Sequence, residues 1–374
     1  MGSRAAEALR RLAAELAGAA AERLAADTGA RAAGGLTFME VCGTHTMAVS
    51  RYGLRGLLPA GVRLVSGPGC PVCVTAMRDL DLVVALARVP EVTVVTFGDL
   101  VRVPSSRTSL VEERAAGADV RVVYSPADAV AMAAAEPARQ VVFVGIGFET
   151  TAPTVAAAVL EAQARAVGNF SVLCLHKTMP APLRALLQLG ETRLTGFILP
   201  GHVSVITGTG CYEFVAAEFG AGGVVSGFEA PDVLESLLML ARQREPAIEI
   251  QYRRAVHPEG NPVAREFMAR VFEPSDADWR GLGVIPGSGL AFREAFAGFD
   301  ARRRFSVEPG EPLEPKGCRC GDVLRGALDP SGCRLFGLRC TPETPVGACM
   351  VSSEGSCAAH YRYRALDDDG RGLA

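Results

Sequence analysis

The chain reads as an α/β protein with two doubly wound parallel-sheet domains and a cysteine-rich C-terminal segment. Two observations predict this. Short β-branched runs alternate with helix-like segments over residues 37–227, and six of the eleven cysteines fall between Cys318 and Cys357. Near-continuous apolar strands alternating with helices are the pattern of parallel sheets buried on both faces.

Taken in order, the first thirty-five residues form an Ala/Arg/Glu helix with Leu9, Leu12, Leu16 and Leu24 near helical spacing. It has no uninterrupted apolar core, and Glu7, Glu15, Glu22 and Asp27 are interspersed, so it reads as neither a signal nor a transit peptide. No run of eighteen apolar residues suggests a membrane span. Strands follow at TFMEVC (37–42), VRLVSG (62–67), VTVVTF (92–97) and VRVVY (120–124). A second series lies at QVVFVGIGF (140–148), FSVLCLH (170–176), TGFILP (195–200) and GGVVSG (222–227). Helices are expected near 76–87, 126–135, 154–166 and 181–189. The series pauses and restarts near 126–140, which places one domain at 36–125 and a second at 126–240. Residues 241–374, irregular and punctuated by proline and glycine, form the third unit.

Net charge is −3 in 374 residues, and arginine supplies nearly all the positive charge, Lys177 and Lys316 being the only lysines. That balance excludes an electrostatic partner such as nucleic acid or an anionic membrane. A cytoplasmic location is expected, where clustered cysteines mean metal or redox chemistry more often than structural disulfides.

The chemistry-bearing residues gather where strands end. CGTHT follows the first strand, GPGCPVC the second and FGDLVRVPSSRTS the third; GFETTAPT, HKTMPAP, PGHVSVITG and SGFEAPD follow strands of the second series. Ligands in open α/β sheets bind outside the carboxyl ends of strands. Seven such loops therefore predict two Rossmann-like sheets facing each other across a shared cleft. Nucleotide chemistry is not indicated. GIGFETT has Thr150 where a dinucleotide loop needs its third glycine, and the next strand ends in His176–Lys177 instead of a ribose-binding acid. The P-loop and the C-x-x-x-C-x-x-C spacing are absent.

Within these loops, Cys42 and His45 lie three apart and can share one side of a helical turn; a thiolate and an imidazole together suit iron. Cys70 and Cys73 open a helix, where thiol pKa values fall; by themselves they fit half a zinc site, a redox dithiol or a pair of cluster ligands. Glu149, Thr150 and Thr151 stand at a helix start, where the threonine hydroxyls would cap it. Glu149 and His202 in PGHVS either bind a polar ligand or hold their loops. Cys174 reads as core, and Cys211, His257 and His360 carry no signal. The tail cysteines lack the paired C-x-x-C knuckles of a zinc ribbon, and their uneven spacing suits an iron–sulfur cube better, without selecting four ligands from six.

The conjunction of EVCGTHT, GPGCPVCVT, GFETTAPT, PGHVSVITG, SGFEAPD and CTPETPVGACMVSSEGSCAAHYRY resembles the HypD family of hydrogenase maturation proteins over nearly the whole chain beyond the first helix. The resemblance implies a scaffold that works with a HypC-like chaperone and a HypE-like cyanide donor to assemble the Fe(CN)2CO unit of NiFe hydrogenases. It implies a single copy within a hetero-complex. It also implies iron carrying CN and CO on Cys42, with His45 ligating or tuning it, and relay chemistry at Cys70 and Cys73. The family's pattern C-x12-C-x6-C-x16-C falls on Cys320, Cys333, Cys340 and Cys357 as 4Fe–4S ligands, with Glu354 orienting the cluster loop. Two other readings stand beside it: a cluster-dependent disulfide reductase acting through Cys70 and Cys73, and a passive metal-binding adaptor.

Overall fold

The computed structural model describes residues 3–26 and 35–369. Eleven strands occur in them: β1 (Leu36–Glu40), β2 (Val62–Ser66), β3 (Val92–Thr96), β4 (Val120–Val122), β5 (Gln140–Gly145), β6 (Phe170–Cys174), β7 (Gly196–Pro200), β8 (Gly222–Ser226), β9 (Ile248–Ile250), β10 (Phe272–Trp279) and β11 (Gly283–Phe292). The first eight are the strands expected from sequence. Apart from Val62 and Val122 on the edge strands β2 and β4, their Val, Ile, Leu and Phe side chains are buried on both faces, as sheets covered by crossover helices require.

The grouping of the strands differs from the expectation. One sheet has the order β2-β1-β7-β8-β9 and the other β4-β3-β5-β6, and both are parallel throughout. The chain begins one sheet, leaves after β2 to build the whole of the other, and returns at β7. The pause at 126–140 is only the crossover helix Pro126–Ala135, capped by Ser125 and Asp128, between two strands of the same sheet. Strands apolar on both faces carry no mark of which sheet they join, so the boundary at residue 125 could not be read locally.

Residues 241–374 also divide differently. β9 extends the first sheet, and β10 and β11 form an antiparallel hairpin whose glycines, prolines and wet face concealed it as strand. One apolar cluster joins the sheets through Met39, Val41, Leu199, Val94, Val144 and Trp279. The cysteine-rich part proper begins near Cys318 and ends in the helix Ser356–Asp369, which packs on the helix Gly43–Arg51 that follows β1.

The N-terminal helix Ser3–Ala26 lies against the helix Ala230–Arg242, with Leu9, Leu16 and Ala20 buried among Leu234, Leu237 and Leu238. Arg242 pairs with Glu15 at 3.2 Å and Arg244 with Glu22 at 3.4 Å. The remainder of the expected segment, 27–34, lies outside the described residues. Because Leu16 is fully buried, Leu16→Ala should lower unfolding stability by about 2–5 kcal/mol in urea titrations. A helix lying free of the body would show no change.

Candidate functional site

In each sheet the strand order reverses at one point, between β1 and β7 in the first and between β3 and β5 in the second. The loops after those four strands line one cavity of about 480 Å³, joined by Gly69, Pro71 and Val72 after β2 and by Ser352 and Glu354 from the tail. The shared cleft expected from the strand-end motifs is therefore present.

Cys42 sits in this cleft in extended backbone, immediately before the helix Gly43–Arg51. Its thiol is buried, which pushes it up to about 12; the nearby Glu354 and Glu40 carboxyls add to the rise, and the Thr44 and His45 amides oppose it. Glu40 is the acid beneath it. One oxygen accepts the Cys42 N–H at 3.3 Å, the other accepts the Thr46 hydroxyl at 2.7 Å, and burial lifts this carboxyl to about 7. A thiol in such surroundings ionises when a cation arrives to balance the charge. The loop before Cys70 lies so close that a methyl at Gly69 would overlap the Cys42 backbone, and Gly43 N–H donates to Gly69 O at 2.9 Å.

The two expected histidines separate. His45 is fully buried and does not line the cleft. Its Nε2–H donates to the carbonyls of Gly227 at 2.9 Å and Ser226 at 3.3 Å, leaving Nδ1 without a partner. Burial lowers its pKa to about 4, so the ring is neutral. It ties the Cys42 helix to the SGFEAPD loop. His202 is the imidazole that faces the cleft, stacked at 3.8 Å on Phe228, whose ring also stacks on His45 at 4.8 Å. Helical spacing from Cys42 places His45 on the right turn but cannot show that the turn faces inward.

Cys70 and Cys73 are joined as a disulfide across the short helix Pro71–Val74. Beside them, Cys73 Sγ lies 4.0 Å from the carbonyl of Ala348, the residue before Cys349. All six tail cysteines line one small apolar cavity. Here the expected ligand set changes. Cys320 opens a helix and is disulfide-bonded to Cys349, so the four free thiols are Cys318, Cys333, Cys340 and Cys357. In CRC both cysteines reach the same cavity, and only the fold selects which one meets Cys349. Among the described residues no three His, Cys, Asp or Glu side chains already converge on one metal ion. The four free thiols nevertheless have the soft donor chemistry of a cluster site; burial raises the pKa of Cys357, and the nearby Cys340, Cys318 and Cys333 raise it further. The hairpin tip binds both cysteine groups together: Arg280 N–H donates to Val74 O at 2.9 Å, and Arg325 donates to Gly281 O at 2.6 Å.

Comparison with known proteins gives the family. The HypD family model, described as "Hydrogenase formation hypA family", matches residues 15–364. The chain belongs to the HypD family. It is 50% identical over 337 residues to the hydrogenase maturation factor HypD of Rhizobium leguminosarum bv. viciae, covering 87% of this chain and 88% of that one. It is 49% identical over 358 residues to the hydrogenase expression/formation protein HupD of Azotobacter chroococcum mcd 1, covering 92% and 94%. To HypD of Escherichia coli (strain K12) it is 46% identical over 338 residues, covering 89% and 91%. No helix among the described residues is long and apolar enough to cross a membrane.

In this HypD-family chain the remaining expected residues separate. Thr150 and Thr151 line the Cys42 cleft, but neither caps the helix Ala152–Ala164; Thr151 donates to Phe148 O at 3.3 Å instead. Glu149 turns to the other side of the same loop, where Oε1 accepts the Met179 N–H at 3.0 Å, so it is not a cleft residue. Glu354 reaches the cleft, accepting the Thr44 hydroxyl at 2.8 Å, so it orients the Cys42 loop where the cluster loop was expected. Cys174 is only half-buried, 3.5 Å from His176 Nδ1, beside a separate cavity. Glu40 and Phe228 were missed. A lone acid inside the apolar run LTFMEV is the signal that marks Glu40.

Burial raises Glu149 from 4.5 to about 7, a cost to folding on the order of 3 kcal/mol once the carboxyl is ionised. The unfolded chain loses its proton first, so this contribution lowers stability as pH rises through that window. His45, held neutral from 6.5 down to about 4, gives the opposite slope, losing stability as pH falls. The comparison of variants isolates the acid. Glu149→Gln should match the native chain near its lower limit of 4.5 and gain stability relative to it as pH approaches 7, read from urea midpoints across pH.

Proposed function

We propose that this chain is the scaffold on which the Fe(CN)2CO unit of a NiFe hydrogenase is assembled, with the iron carried as substrate by Cys42. The observation that supports this most is the position of Cys42: both sheets bring their switch-point loops to it, and a train of cysteines leads away from it. A HypC-like chaperone would supply a second thiol at the mouth of the cleft, and a HypE-like partner would deliver cyanide past His202 and Thr150.

The Cys42 thiol enters as a neutral group and gives up its proton as iron binds. Glu354 and Glu40, both lifted by burial, are the neighbouring carboxyls able to receive it. Asp99, bonded to Ser352 at 3.4 Å, holds the tail against the opposite wall. Cys318, Cys333, Cys340 and Cys357 would hold the 4Fe–4S cluster, which supplies one-electron chemistry when bound. Cys320 and Cys349, once reduced, would pass two electrons and two protons to Cys70–Cys73 by thiol–disulfide exchange, re-forming their own disulfide.

A freestanding disulfide reductase is disfavoured by burial. Cys70 is 4% exposed and Cys73 is not exposed at all, so a partner's disulfide has no approach. Infrared spectra of the chain purified anaerobically with a HypC-like partner should show iron-bound CN and CO bands. Cys42→Ala should abolish both bands and the iron bound beyond the four atoms of the cluster, whereas Cys70→Ser should retain that iron and lose the diatomic bands. Stoichiometric iron–cyanide species on Cys42→Ala would overturn the assignment, and loss of iron from Cys70→Ser would make that pair ligands.

A further inference from the structure

Behind the GFETT loop, on the side away from Cys42, lies a groove of about 890 Å³ between the helix Pro180–Leu189 and the start of β11. Its walls are mostly apolar. Each contributes a large exposed side chain, Leu189 at 51% and Val284 at 67%. Among the described residues, one acid and one base, Glu149 and Arg184, line it, together with the Cys211 thiol. Arg184 is already engaged, paired with Glu218 at 2.9 Å and stacked 4.2 Å over Phe214.

Glu149 is the exception. It is 4% exposed, one oxygen is held by the Met179 N–H, and Oε2 has no partner. A buried acceptor without a donor costs stability, and more so when the group is charged. The groups facing it do not relieve that cost. From the neighbouring turn come the Cys211 thiol and the Tyr212 hydroxyl, which is itself unpartnered, and the Pro180–Leu189 helix offers only the committed Arg184.

We propose that this groove docks an apolar peptide segment of a partner protein carrying one lysine or arginine, whose cationic head pairs with Glu149. The apolar walls take the flanking side chains, and the orphaned carboxyl selects the charge. Because Oε2 is covered in the free chain, docking includes rearrangement of floor side chains. Pairing ionises Glu149 and strengthens its bond to Met179 N–H. Phe148, Thr150 and Thr151, its neighbours on the same loop, form a wall of the Cys42 cleft, so the docked segment bears on the cleft from behind. The proposal uses no iron chemistry and stands or falls apart from the assembly reading.

The test uses the full chain and two acetylated, amidated tripeptides, Leu-Arg-Leu and its uncharged Leu-citrulline-Leu counterpart, with affinities measured calorimetrically at about pH 8. The arginine peptide should bind about tenfold or more tightly than the citrulline peptide. That preference should vanish in Glu149→Gln and shrink in the native chain as pH falls below about 7, where the carboxyl regains its proton. Val284→Asp, at an exposed rim position that folding does not depend on, should weaken the citrulline peptide. Equal binding of the two peptides, a preference that survives Glu149→Gln, indifference of the citrulline peptide to Val284→Asp, or no binding of either peptide would overturn the proposal.

Discussion

The structure depends on one constraint: two parallel sheets are held with their carboxyl edges toward the same space. Parallel strands need crossovers, and each reversal of strand order leaves a gap at the carboxyl edge. Here the gaps of both sheets open on Cys42, because the chain starts the first sheet, completes the second and only then returns. The interleaving makes the sheets hard to separate, and a common apolar cluster fills the space between them. A cleft fixed from both sides can place a single thiol without relying on flexible loops.

The second constraint is electrostatic. Cys42, Glu40 and Glu354 lie close together in a buried setting, and each is pushed toward its neutral form. Such a site repels further negative charge until a cation enters, and then all three groups favour it. The neutral His45, held by two backbone carbonyls, supplies no competing positive charge. Thiol and acids thus share one buried setting, with a neutral imidazole packed behind them.

The tail completes the site from outside the sheets. Glu354 touches the Cys42 loop, Ser352 reaches Asp99, and the helix Ser356–Asp369 packs on the helix that Cys42 begins. The cysteine-rich segment is thus part of the cleft, and its Cys320–Cys349 disulfide and the Cys70–Cys73 disulfide after β2 share the hairpin tip as a common brace. A domain drawn at residue 241 would have cut through this contact, because distance along the chain gave no hint of it.

The sequence by itself determined the strands, since short apolar runs such as VTVVT and FVGIG, alternating with helical segments, fit a parallel sheet buried on both faces. It also determined that the reactive residues stand at strand ends, and that the tail holds enough thiols for a cluster. Three things waited for the tertiary structure: which strands pair, whether His45 or His202 faces the cleft, and whether Cys318 or Cys320 stays free. Each is a choice between residues with the same local pattern. Periodicity fixes the side of a strand or turn on which a side chain lies, but what that side meets is fixed only when distant segments close upon it.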